Sequence, residues 1–337
     1  MEKMLDIVDL EQISIQDERL YSVMFVLLTQ CNANCVHCYI PEHQNYGMDT
    51  YKIKGLIKQA RDLGAFNITF NGGECLLRKD LLELIEFARG LYLRVFIMSN
   101  GLALDESYVK KLADLNIAEF STTIFSMNED IHDTITQVKG SLSKTLKNIE
   151  LLKQYGIPIH VKTPLMEKNK YEYRDIYSYC LANGFKFMSS PSIFSKADGD
   201  KTPHDLEIRS DLATIVRETD DIMKQSDYVT TNESNPNYSC TAPFSSLDIQ
   251  YDGSVLACNT LFYELGNIHN DTLKSIWEHS DKLKKLRELC KIESAECKVC
   301  ELKSLCKKCP GLSLLEDNDL LGCSSTAKRL AECRRKL

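Results

Sequence analysis

The feature that most constrains the fold is a regular alternation of short apolar runs and amphipathic segments between residues 21 and 195. Several runs are continuously apolar, as strands of a parallel sheet are when helices cover both faces. Strand and helix alternate six times, which is typical of an α/β fold. We predict strands at Val23–Thr29, Asn67–Phe70, Leu93–Met98, Glu119–Phe125, Ile157–Pro164 and Phe185–Pro191.

Six strand–helix units, fewer than a complete barrel has, predict a partial, open (β/α)6 barrel of the TIM-like kind. The helices carry start signals, with Asp49, Asp80 and either Ser141 or Ser143 as predicted N-caps. In such folds the reactive groups lie on the loops that follow the carboxyl ends of the strands. Motifs directly after the predicted strands are therefore candidates for the functional site.

The composition excludes several classes of partner. The formal net charge is −7, and no basic run or aromatic-interleaved stripe suits a phosphate backbone, so we expect no nucleic-acid partner. No stretch of about 18 apolar residues occurs, and residues 1–20 lack the layout of a signal peptide. We therefore expect no membrane partner and a cytoplasmic location.

Cysteine is unevenly distributed along the chain. Of fourteen cysteines, three lie within Cys31–Cys38 and nine from Cys240 onward, while Cys75 and Cys180 stand alone between them. In a reducing compartment this usage indicates metal or redox chemistry rather than disulfides. Two metal-binding regions are thus predicted on either side of a cysteine-poor body, in which Cys180 lies in the apolar helix Tyr173–Ala182 and is expected in the core.

The first cysteine region consists of Cys31, Cys35 and Cys38, spaced CxxxCxxC directly after the first predicted strand. Three thiolates on one loop can hold three irons of a [4Fe–4S] cube and leave the fourth iron without a protein ligand. A zinc site is the alternative, because short cysteine spacings are common in zinc modules. Zinc would need a fourth ligand, and His37 lies inside the loop, where it cannot easily serve.

This triplet resembles the CxxxCx(aromatic)C signature of the radical S-adenosylmethionine superfamily, with His37 in the aromatic place. The resemblance implies that the open iron chelates the amino and carboxylate groups of S-adenosylmethionine. One-electron reduction then splits this cofactor into methionine and a 5'-deoxyadenosyl radical. By the same resemblance the predicted cofactor-binding residues are His37, Tyr39, Gly72, Gly73, Glu74, Ser99, Asn100, Ser121 and Lys162.

Several of these residues follow predicted strands. Gly72-Gly73-Glu74 is similar to the family's GGE motif, in which backbone and carboxylate receive the methionine amino group, and glycine permits the close approach. Ser99-Asn100-Gly101 is similar to the segment placed near the cofactor ribose, although a plain loop entry is the alternative. Ser121 or Lys162 is predicted to meet the cofactor carboxylate, and a solvated strand end is the alternative for Lys162.

Cys75 occupies the position after Gly-Gly-Glu at which the family usually has proline. On a loop that faces the cofactor, its thiol is a candidate catalytic group that donates a hydrogen atom near the radical. A packed, unreactive cysteine is the alternative, because a free cysteine often behaves as a small hydrophobic residue.

The second cysteine region resembles the SPASM extension of these enzymes, whose pattern is Cx9–15Gx4C, a gap, Cx2Cx5Cx3C, a gap and C. That extension normally holds two auxiliary [4Fe–4S] clusters. A zinc ribbon is the competing interpretation of the paired cysteines. The resemblance assigns Cys240, Cys258 and Cys309 to the first cluster, and Cys297, Cys300, Cys306 and Cys323 to the second.

Two departures from the pattern leave the ligands of the first auxiliary cluster incomplete. Cys306 and Cys309 are separated by two residues instead of three, and no cysteine closely follows Cys240. The cluster either keeps an open iron, which could bind a substrate thiolate, or is completed by Cys290 or Cys333. The predicted segments are an extension at 1–20, the barrel at 21–200, a helical linker at 201–239 and a cysteine-rich α+β SPASM domain at 240–337.

The resemblance implies a radical S-adenosylmethionine enzyme of oxidoreductase type. Its SPASM-bearing relatives mostly modify peptides, so we predict hydrogen abstraction from a ribosomally made precursor peptide that forms a thioether or carbon–carbon crosslink. Peptide epimerisation, oxidation of a Ser or Cys side chain, and dehydrogenation of a small molecule are alternatives. From another class, a non-catalytic electron carrier or a zinc-binding module would leave Gly72-Gly73-Glu74 without a role.

The predicted partners are the precursor peptide or protein and a reductant such as flavodoxin or ferredoxin. Many such maturases carry a leader-binding domain before the barrel, whereas only about twenty residues precede the first predicted strand. Recognition would therefore need a separate leader-peptide-binding protein or direct capture at the mouth of the barrel. We expect a monomer.

Overall fold

The structure, a computed structural model, describes residues 7–225 and 238–336. At the centre of these residues is one sheet of nine strands. The strands are β1 (Ser22–Val26), β2 (Asn67–Asn71), β3 (Arg94–Met98), β4 (Glu119–Thr123), β5 (Ile159–Pro164), β6 (Lys186–Ser190), β7 (Ser246–Ile249), β8 (Ser254–Leu256) and β9 (Gly266–Asn267).

The first six strands form the predicted parallel array. The order across the sheet is β6-β5-β4-β3-β2-β1-β7-β8-β9, and every neighbouring pair from β6 to β1 is parallel. The expected α/β class and partial barrel are confirmed. The strands could be located from the sequence because buried parallel strands leave an apolar run between polar loops.

The sheet also contains a seventh parallel strand that the sequence did not predict. β7 lies beside β1, with Ser22 opposite Ser246 and Phe25 opposite Ile249. The chain then turns back into β8 and β9, which are antiparallel additions at the edge. The C-terminal region is thus hydrogen-bonded to the barrel sheet across the boundary predicted at residue 240.

Helices connect the strands and build most of the C-terminal region. Their bounds are α1 (Ile7–Gln16), α2 (Thr50–Asp62), α3 (Leu81–Gly90), α4 (Glu106–Asp114), α5 (Glu129–Thr136), α6 (Ser141–Gln154), α7 (Tyr173–Asn183), α8 (Leu212–Gln225), α9 (Ala242–Ser245), α10 (Leu273–His279), α11 (Asp281–Lys291), α12 (Ala295–Lys298), α13 (Pro310–Asp317) and α14 (Ser325–Arg335).

The predicted helix caps are only partly confirmed. The Asp49 carboxylate caps α2 by accepting a hydrogen bond from the Lys52 amide at 2.8 Å. Asp80 precedes α3 but forms no cap, because its carboxylate pairs with the Arg78 guanidinium at 2.6 Å. The prediction of a serine cap for α6 is wrong, since its N-cap is Gly140, whose φ of +73° suits glycine.

Large aromatic side chains fill the core beside the strands. Phe25 of β1 lies opposite Phe70 of β2, with ring centroids 6.0 Å apart, and both are fully buried. Cys180 on α7 is also fully buried, as predicted.

α8 is joined to α14 by a hydrogen bond of 2.6 Å from Arg334 Nε to Asp220 Oδ2. Within the described ranges no helix combines the length and apolarity needed to cross a membrane.

Candidate active site

The loops after the first strands meet at a cavity of about 250 Å³ at the carboxyl edge of the sheet. This is where a parallel α/β fold places its reactive groups. A larger depression of about 430 Å³ lies at the opposite edge, but none of the predicted site residues line it. The predicted residues that do line the carboxyl-edge cavity are Cys31, Cys35, His37, Cys38, Tyr39, Gly72, Gly73, Ser99, Asn100, Ser121 and Lys162.

The cysteine triplet lies on a loop that is fixed to α5. The amides of Asn34 and Val36 donate to carbonyls at the end of that helix, at 3.1 and 3.0 Å. Burial raises the pKa of Cys31 to about 11 and that of Cys35 to about 12. A thiol in such surroundings becomes a thiolate when a cation binds it, so the triplet suits a metal-ligand set.

The described residues contain no group of three or more His, Cys, Asp or Glu side chains arranged to hold a single metal ion. The assignment of the triplet to a four-iron cluster accordingly remains a prediction. Its support is the donor chemistry of three thiols on one loop at the mouth of a cavity.

Gly72 and Gly73 bring the loop after β2 into backbone contact with the loop after β1. The Gly73 amide donates to Leu28 O at 2.8 Å, and the Glu74 amide donates to Gln30 O at 2.8 Å. A Cβ atom on Gly73 would lie 2.2 Å from Thr29 O, which is far inside van der Waals contact. Only glycine permits this approach, and the cysteine loop is held in place by it.

The Glu74 carboxylate is fully buried beneath the cavity and does not line it. Its oxygens accept hydrogen bonds from Leu76 N at 2.9 Å, Ser99 Oγ at 2.7 Å and Asn100 N at 2.8 Å. Burial raises the pKa of Glu74 from its usual value. Glu74 thus positions the loop after β3, while its predicted contact with the cofactor amino group remains a prediction.

Asn100 connects the loop after β3 to the cysteine loop. Its Nδ2 donates to Asn32 Oδ1 at 2.7 Å, next to Cys31, and its Oδ1 accepts from Leu102 N at 2.9 Å. The Ser99 hydroxyl is already used, because it donates to Glu74 and accepts from Gly101 N. Of this pair, Asn100 has the side chain that reaches the cysteine loop.

Lys162 on β5 is a half-buried cation that faces the cavity. Among the described residues its Nζ has one hydrogen-bond partner, the Met98 sulfur at 3.6 Å. Burial lowers the pKa of Lys162, and the charge of Glu119 acts in the opposite direction. An ammonium that is partly withdrawn from water without a carboxylate in contact is costly, so this site suits an anionic ligand.

Ser121 lines the same cavity as Lys162, but its hydroxyl is already hydrogen-bonded to Glu119. Ser121 Oγ donates to Glu119 Oε1 at 3.1 Å. His160 Nδ1 and Lys186 Nζ contact the same carboxylate, at 3.2 and 2.8 Å. Burial alone would raise the pKa of Glu119, but hydrogen bonds from His160 and Lys186 hold it at about 2. Glu119 is therefore ionised, and it fixes the position of the Ser121 hydroxyl.

His37 and Tyr39 flank the last cysteine of the triplet. The His37 ring packs edge-on against Phe125, with centroids 5.0 Å apart, and its Nδ1 has no partner among the described residues. Burial lowers the pKa of His37 to about 4, so the ring is neutral at pH 7. Burial also raises the pKa of Tyr39. Both side chains present uncharged surfaces to the cavity.

Cys75 is fully buried in a short 3-10 turn, Cys75–Leu77, and does not line the cavity. Its Sγ donates to Met98 O at 3.3 Å. Burial raises the pKa of Cys75 well above that of a free thiol. The structure favours the packed-cysteine alternative, and the hydrogen-donating role stays a prediction.

Asp248 on β7 is a buried acid that sequence reasoning missed. It is almost completely inaccessible, and burial raises its pKa to about 7. Its charge acts on both Tyr39 and Cys258, so it lies between the triplet and the second cysteine region. The sequence signal for this site was an aspartate between two apolar residues. It was missed because β7 has only four residues, too few to be recognised as a strand.

The C-terminal cysteines fall into two separate sets. Burial raises the pKa of Cys306, and the charges of Cys323, Cys297 and Cys300 add to the effect, so these four thiols are neighbours. Burial also raises the pKa of Cys258 and that of Cys309, and the charge of Cys240 adds to the effect at both. Cys240 therefore lies near both thiols. This grouping agrees with the two predicted ligand sets, which remain predictions as cluster assignments.

Comparison with known families supports the class that this fold and cavity define, a radical S-adenosylmethionine enzyme. Residues 25–180 match the Radical SAM superfamily, and residues 240–310 match SPASM, an iron-sulfur cluster-binding domain. Together the two matches span more than half of the chain. The chain belongs to the Radical SAM superfamily and carries a SPASM domain. Its cofactors are [4Fe–4S] clusters and S-adenosylmethionine.

Related proteins differ in what their names describe. The AdoMet-dependent heme synthase of Methanosarcina barkeri is 23% identical over 332 residues, which is 89% of this chain and 93% of the relative. The antilisterial bacteriocin subtilosin biosynthesis protein AlbA of Bacillus subtilis is 27% identical over 269 residues, which is 75% of this chain and 58% of the relative.

Solved structures share the fold over most of the chain. SuiB of Streptococcus suis bound to precursor peptide SuiA gives a TM-score of 0.72 at 14% identity, covering 94% of this chain and 79% of that one. Native anSMEcpe with bound AdoMet and Cp18Cys peptide gives a TM-score of 0.73 at 18% identity, covering 94% of this chain and 95% of that one.

Proposed function

We propose that this radical S-adenosylmethionine enzyme abstracts a hydrogen atom from a ribosomally made precursor peptide and forms a thioether or carbon–carbon crosslink. The observation that carries the proposal is the Lys162 cation, which lines the same cavity as the cysteine triplet at the carboxyl edge of the sheet. When bound, the cluster and S-adenosylmethionine supply a 5'-deoxyadenosyl radical.

The residues of this chain bind and orient the cofactor. Lys162 Nζ is the proposed contact for the cofactor carboxylate, since it is a cation without an anionic contact partner among the described residues. The backbone of Gly72 and Gly73 would receive the amino group, and Asn100 would hold the ribose. Neutral His37 and the buried wall around Phe125 exclude water from the reacting atoms.

The charges that line the cavity favour a peptide side chain as the substrate. Lys162 is the only lysine or arginine among the described residues that line it. A tetrapyrrole has several carboxylates, and recognising them would require further cations.

The names of similar proteins support both candidate substrates, a peptide and a tetrapyrrole. The names of AlbA and of the structures bound to peptides support a peptide substrate. The heme synthase of Methanosarcina barkeri, which aligns over nearly its full length, supports a tetrapyrrole as the second candidate. A flavodoxin or ferredoxin as reductant and a separate leader-binding protein belong to the peptide proposal. Epimerisation is less favoured, because the Cys75 thiol is packed away from the cavity.

The radical chemistry is tested by anaerobic reconstitution of the wild type and a Cys31→Ala/Cys35→Ala/Cys38→Ala variant. We expect about twelve irons per chain in the wild type and about eight in the variant, since each cubane holds four irons. Reductive cleavage of S-adenosylmethionine to 5'-deoxyadenosine should be lost in the variant. Cleavage that survives the triple substitution would contradict the proposed role of the triplet.

The substrate class is tested by two parallel incubations of the reconstituted enzyme. Short peptides encoded beside its gene are supplied in one, and carboxylated iron tetrapyrroles in the other. A peptide product lighter by two hydrogen atoms, with a crosslink located by tandem mass spectrometry, is the expected result. Loss of carbon dioxide from the tetrapyrrole, with the peptides unchanged, would favour the second candidate instead.

A further inference from the structure

The first auxiliary set contains three cysteines by resemblance, and the fold brings a fourth to it. Cys290 lies near the end of α11, and only 2% of its surface is exposed. Its side chain is hydrogen-bonded to that of Cys240. Two thiols from segments fifty positions apart in sequence thus meet at the place where the first cluster is expected.

The backbone around these two cysteines fixes the contact. The amide and the hydroxyl of Ser239 both donate to the Cys290 carbonyl, at 2.8 and 3.2 Å. Arg287, one turn earlier on α11, donates from Nε to Pro243 O at 2.9 Å. Hydrogen bonds on both sides of Cys240 therefore hold α11 against this segment.

A second close approach brings Cys258 and Cys309 to the same place. A Cβ atom on Gly311, which follows Cys309, would lie 2.4 Å from Thr260 O, which follows Cys258. The two segments are therefore packed backbone to backbone. Cys240 also lies near enough to Cys309, and Cys309 near enough to Cys290, to act electrostatically on it. Cys240 is thus linked to each of the other three cysteines, and Cys258 and Cys309 lie on segments in contact.

The other candidate, Cys333, lies elsewhere. It is buried on α14 in a small apolar cluster with Val216 and Leu330. The charged groups that act on it are lysine, arginine and glutamate side chains of its own helix, and no cysteine is among them. Cys333 is therefore a packing residue by its surroundings.

A simple core position is the alternative for Cys290 as well. Leu283 and Leu286 share its buried stripe on α11, so the helix pattern alone predicts an apolar contact. The observed neighbours distinguish the two possibilities. Cys290 is hydrogen-bonded to one thiol of the predicted ligand set and lies near a second cysteine of that set, which a core leucine position would not require.

We propose that Cys290 is the fourth thiolate of the first auxiliary [4Fe–4S] cluster, together with Cys240, Cys258 and Cys309. Each iron of that cluster then has a protein ligand. No iron is left for a substrate sulfur to bind, and a cluster of this kind is confined to electron transfer. The ligand comes from a helix far along the chain, in place of the cysteine that the SPASM pattern would supply soon after Cys240.

The test uses the full chain carrying Cys31→Ala, Cys35→Ala and Cys38→Ala, in which only auxiliary clusters can form. Cys290→Ala and Cys333→Ala are each added to this background, reconstituted anaerobically and analysed for iron. We expect about eight irons in the background and with Cys333→Ala, and a fall toward about four with Cys290→Ala.

Electron paramagnetic resonance after mild oxidation gives a second readout that does not depend on activity. An iron without a protein ligand is lost easily, and a [3Fe–4S] signal then forms. The background and Cys333→Ala should lack this signal, whereas any auxiliary cluster retained by Cys290→Ala should show it. The proposal is overturned if the background already gives the signal and Cys290→Ala changes neither iron nor spectrum, or if Cys333→Ala causes the loss.

Cys290→Ser covers the case in which the alanine variant fails to fold. Serine has a similar size and offers an oxygen ligand, so we expect a folded protein with an altered auxiliary-cluster spectrum. A Cys290→Ser protein with native circular dichroism and an unchanged spectrum would overturn the proposal.

Discussion

Lys162 illustrates how a single charged side chain can indicate the charge of the ligand that a site binds. Its half-buried ammonium extends from β5 toward the cavity, and its one described partner is a thioether. Such a group costs free energy in the empty protein. The cost is offset when an anion binds, so the residue favours the ligand-bound state over the free one.

Replacing Lys162 with methionine should therefore have opposite effects on stability and binding. We expect Lys162→Met to raise the free energy of unfolding of the cluster-free protein, because a partly desolvated charge is removed. Its affinity for S-adenosylmethionine should fall by about 10–100-fold, the equivalent of one hydrogen bond between charged groups. Thermal unfolding and equilibrium dialysis measure the two effects.

Lys186→Met provides the matched control for that experiment. Lys186 contacts Glu119 from the solvent side and is two-thirds exposed. This variant should retain the affinity for S-adenosylmethionine. Equal binding by wild type and Lys162→Met would show that Lys162 does not contact the cofactor.

Some site residues could not be oriented from the sequence. Glu74 and Cys75 follow Gly73 directly, and the motif alone suggests that both face the cofactor. The 3-10 turn that begins at Cys75 directs both side chains beneath the cavity. Residue types and spacing identified the loop, but the direction of a side chain depends on local dihedral angles that the spacing does not encode.

At the scale of elements, the contact between the loops after β1 and β2 builds the site. Gly73 is the point of closest approach, and its amide contributes a hydrogen bond to the loop after β1. The cysteine triplet begins only two residues beyond Thr29, the nearest contact of Gly73. A disturbance here reaches the cysteines directly.

Gly73→Ala should separate these two loops. We expect the free energy of unfolding to fall by about 1–3 kcal/mol, as for other overpacked sites. Iron bound by the triplet should fall toward zero, while the auxiliary clusters persist. Chemical denaturation of the cluster-free protein and iron analysis of the reconstituted protein check the two effects.

Gly55→Ala is the control for this substitution. Gly55 lies in the exposed interior of α2 with no atom within 4 Å of an added Cβ. Alanine should stabilise the helix by about 1 kcal/mol. If Gly73→Ala were as harmless as Gly55→Ala, the close approach would not matter to the site.

The sequence predicted the strands of the repeated strand–helix units well, but it predicted short, isolated features poorly. The first six strands lie where continuous apolar runs predicted them, because helices on both faces require such runs. Ser246–Ile249 was missed because four residues carry little pattern and their partner β1 is distant in the chain. The cap of α6 was missed because a left-handed Gly140, and no serine, begins that helix.

For the whole molecule, the pairing of β7 with β1 makes the two cysteine regions parts of one structure. The sheet is continuous from β6 to β9, and α1 also packs against α9 of the C-terminal region. Arg287 lies over the Trp277 ring at 4.5 Å and holds α10 and α11 together. These contacts predict that the barrel and the C-terminal region unfold together.

The single tryptophan of the chain allows that prediction to be checked. Trp277 reports on the C-terminal region, whereas far-ultraviolet circular dichroism reports mainly on the larger barrel. We expect the two signals to change at the same temperature when the cluster-free protein is heated, as in a cooperative transition. An earlier change in tryptophan fluorescence would mean that the C-terminal region unfolds by itself.

The position of β1 within the sheet also affects how the protein is made. β1 is synthesised early, but its partner β7 follows more than two hundred residues later. At roughly 5–20 residues per second, the ribosome needs on the order of 10–45 s to supply that partner. During this interval a nascent chain exposes an unpaired strand edge, which is a template for aggregation. Expression at low temperature, or with chaperones that shield the growing chain, should therefore improve the yield of folded protein.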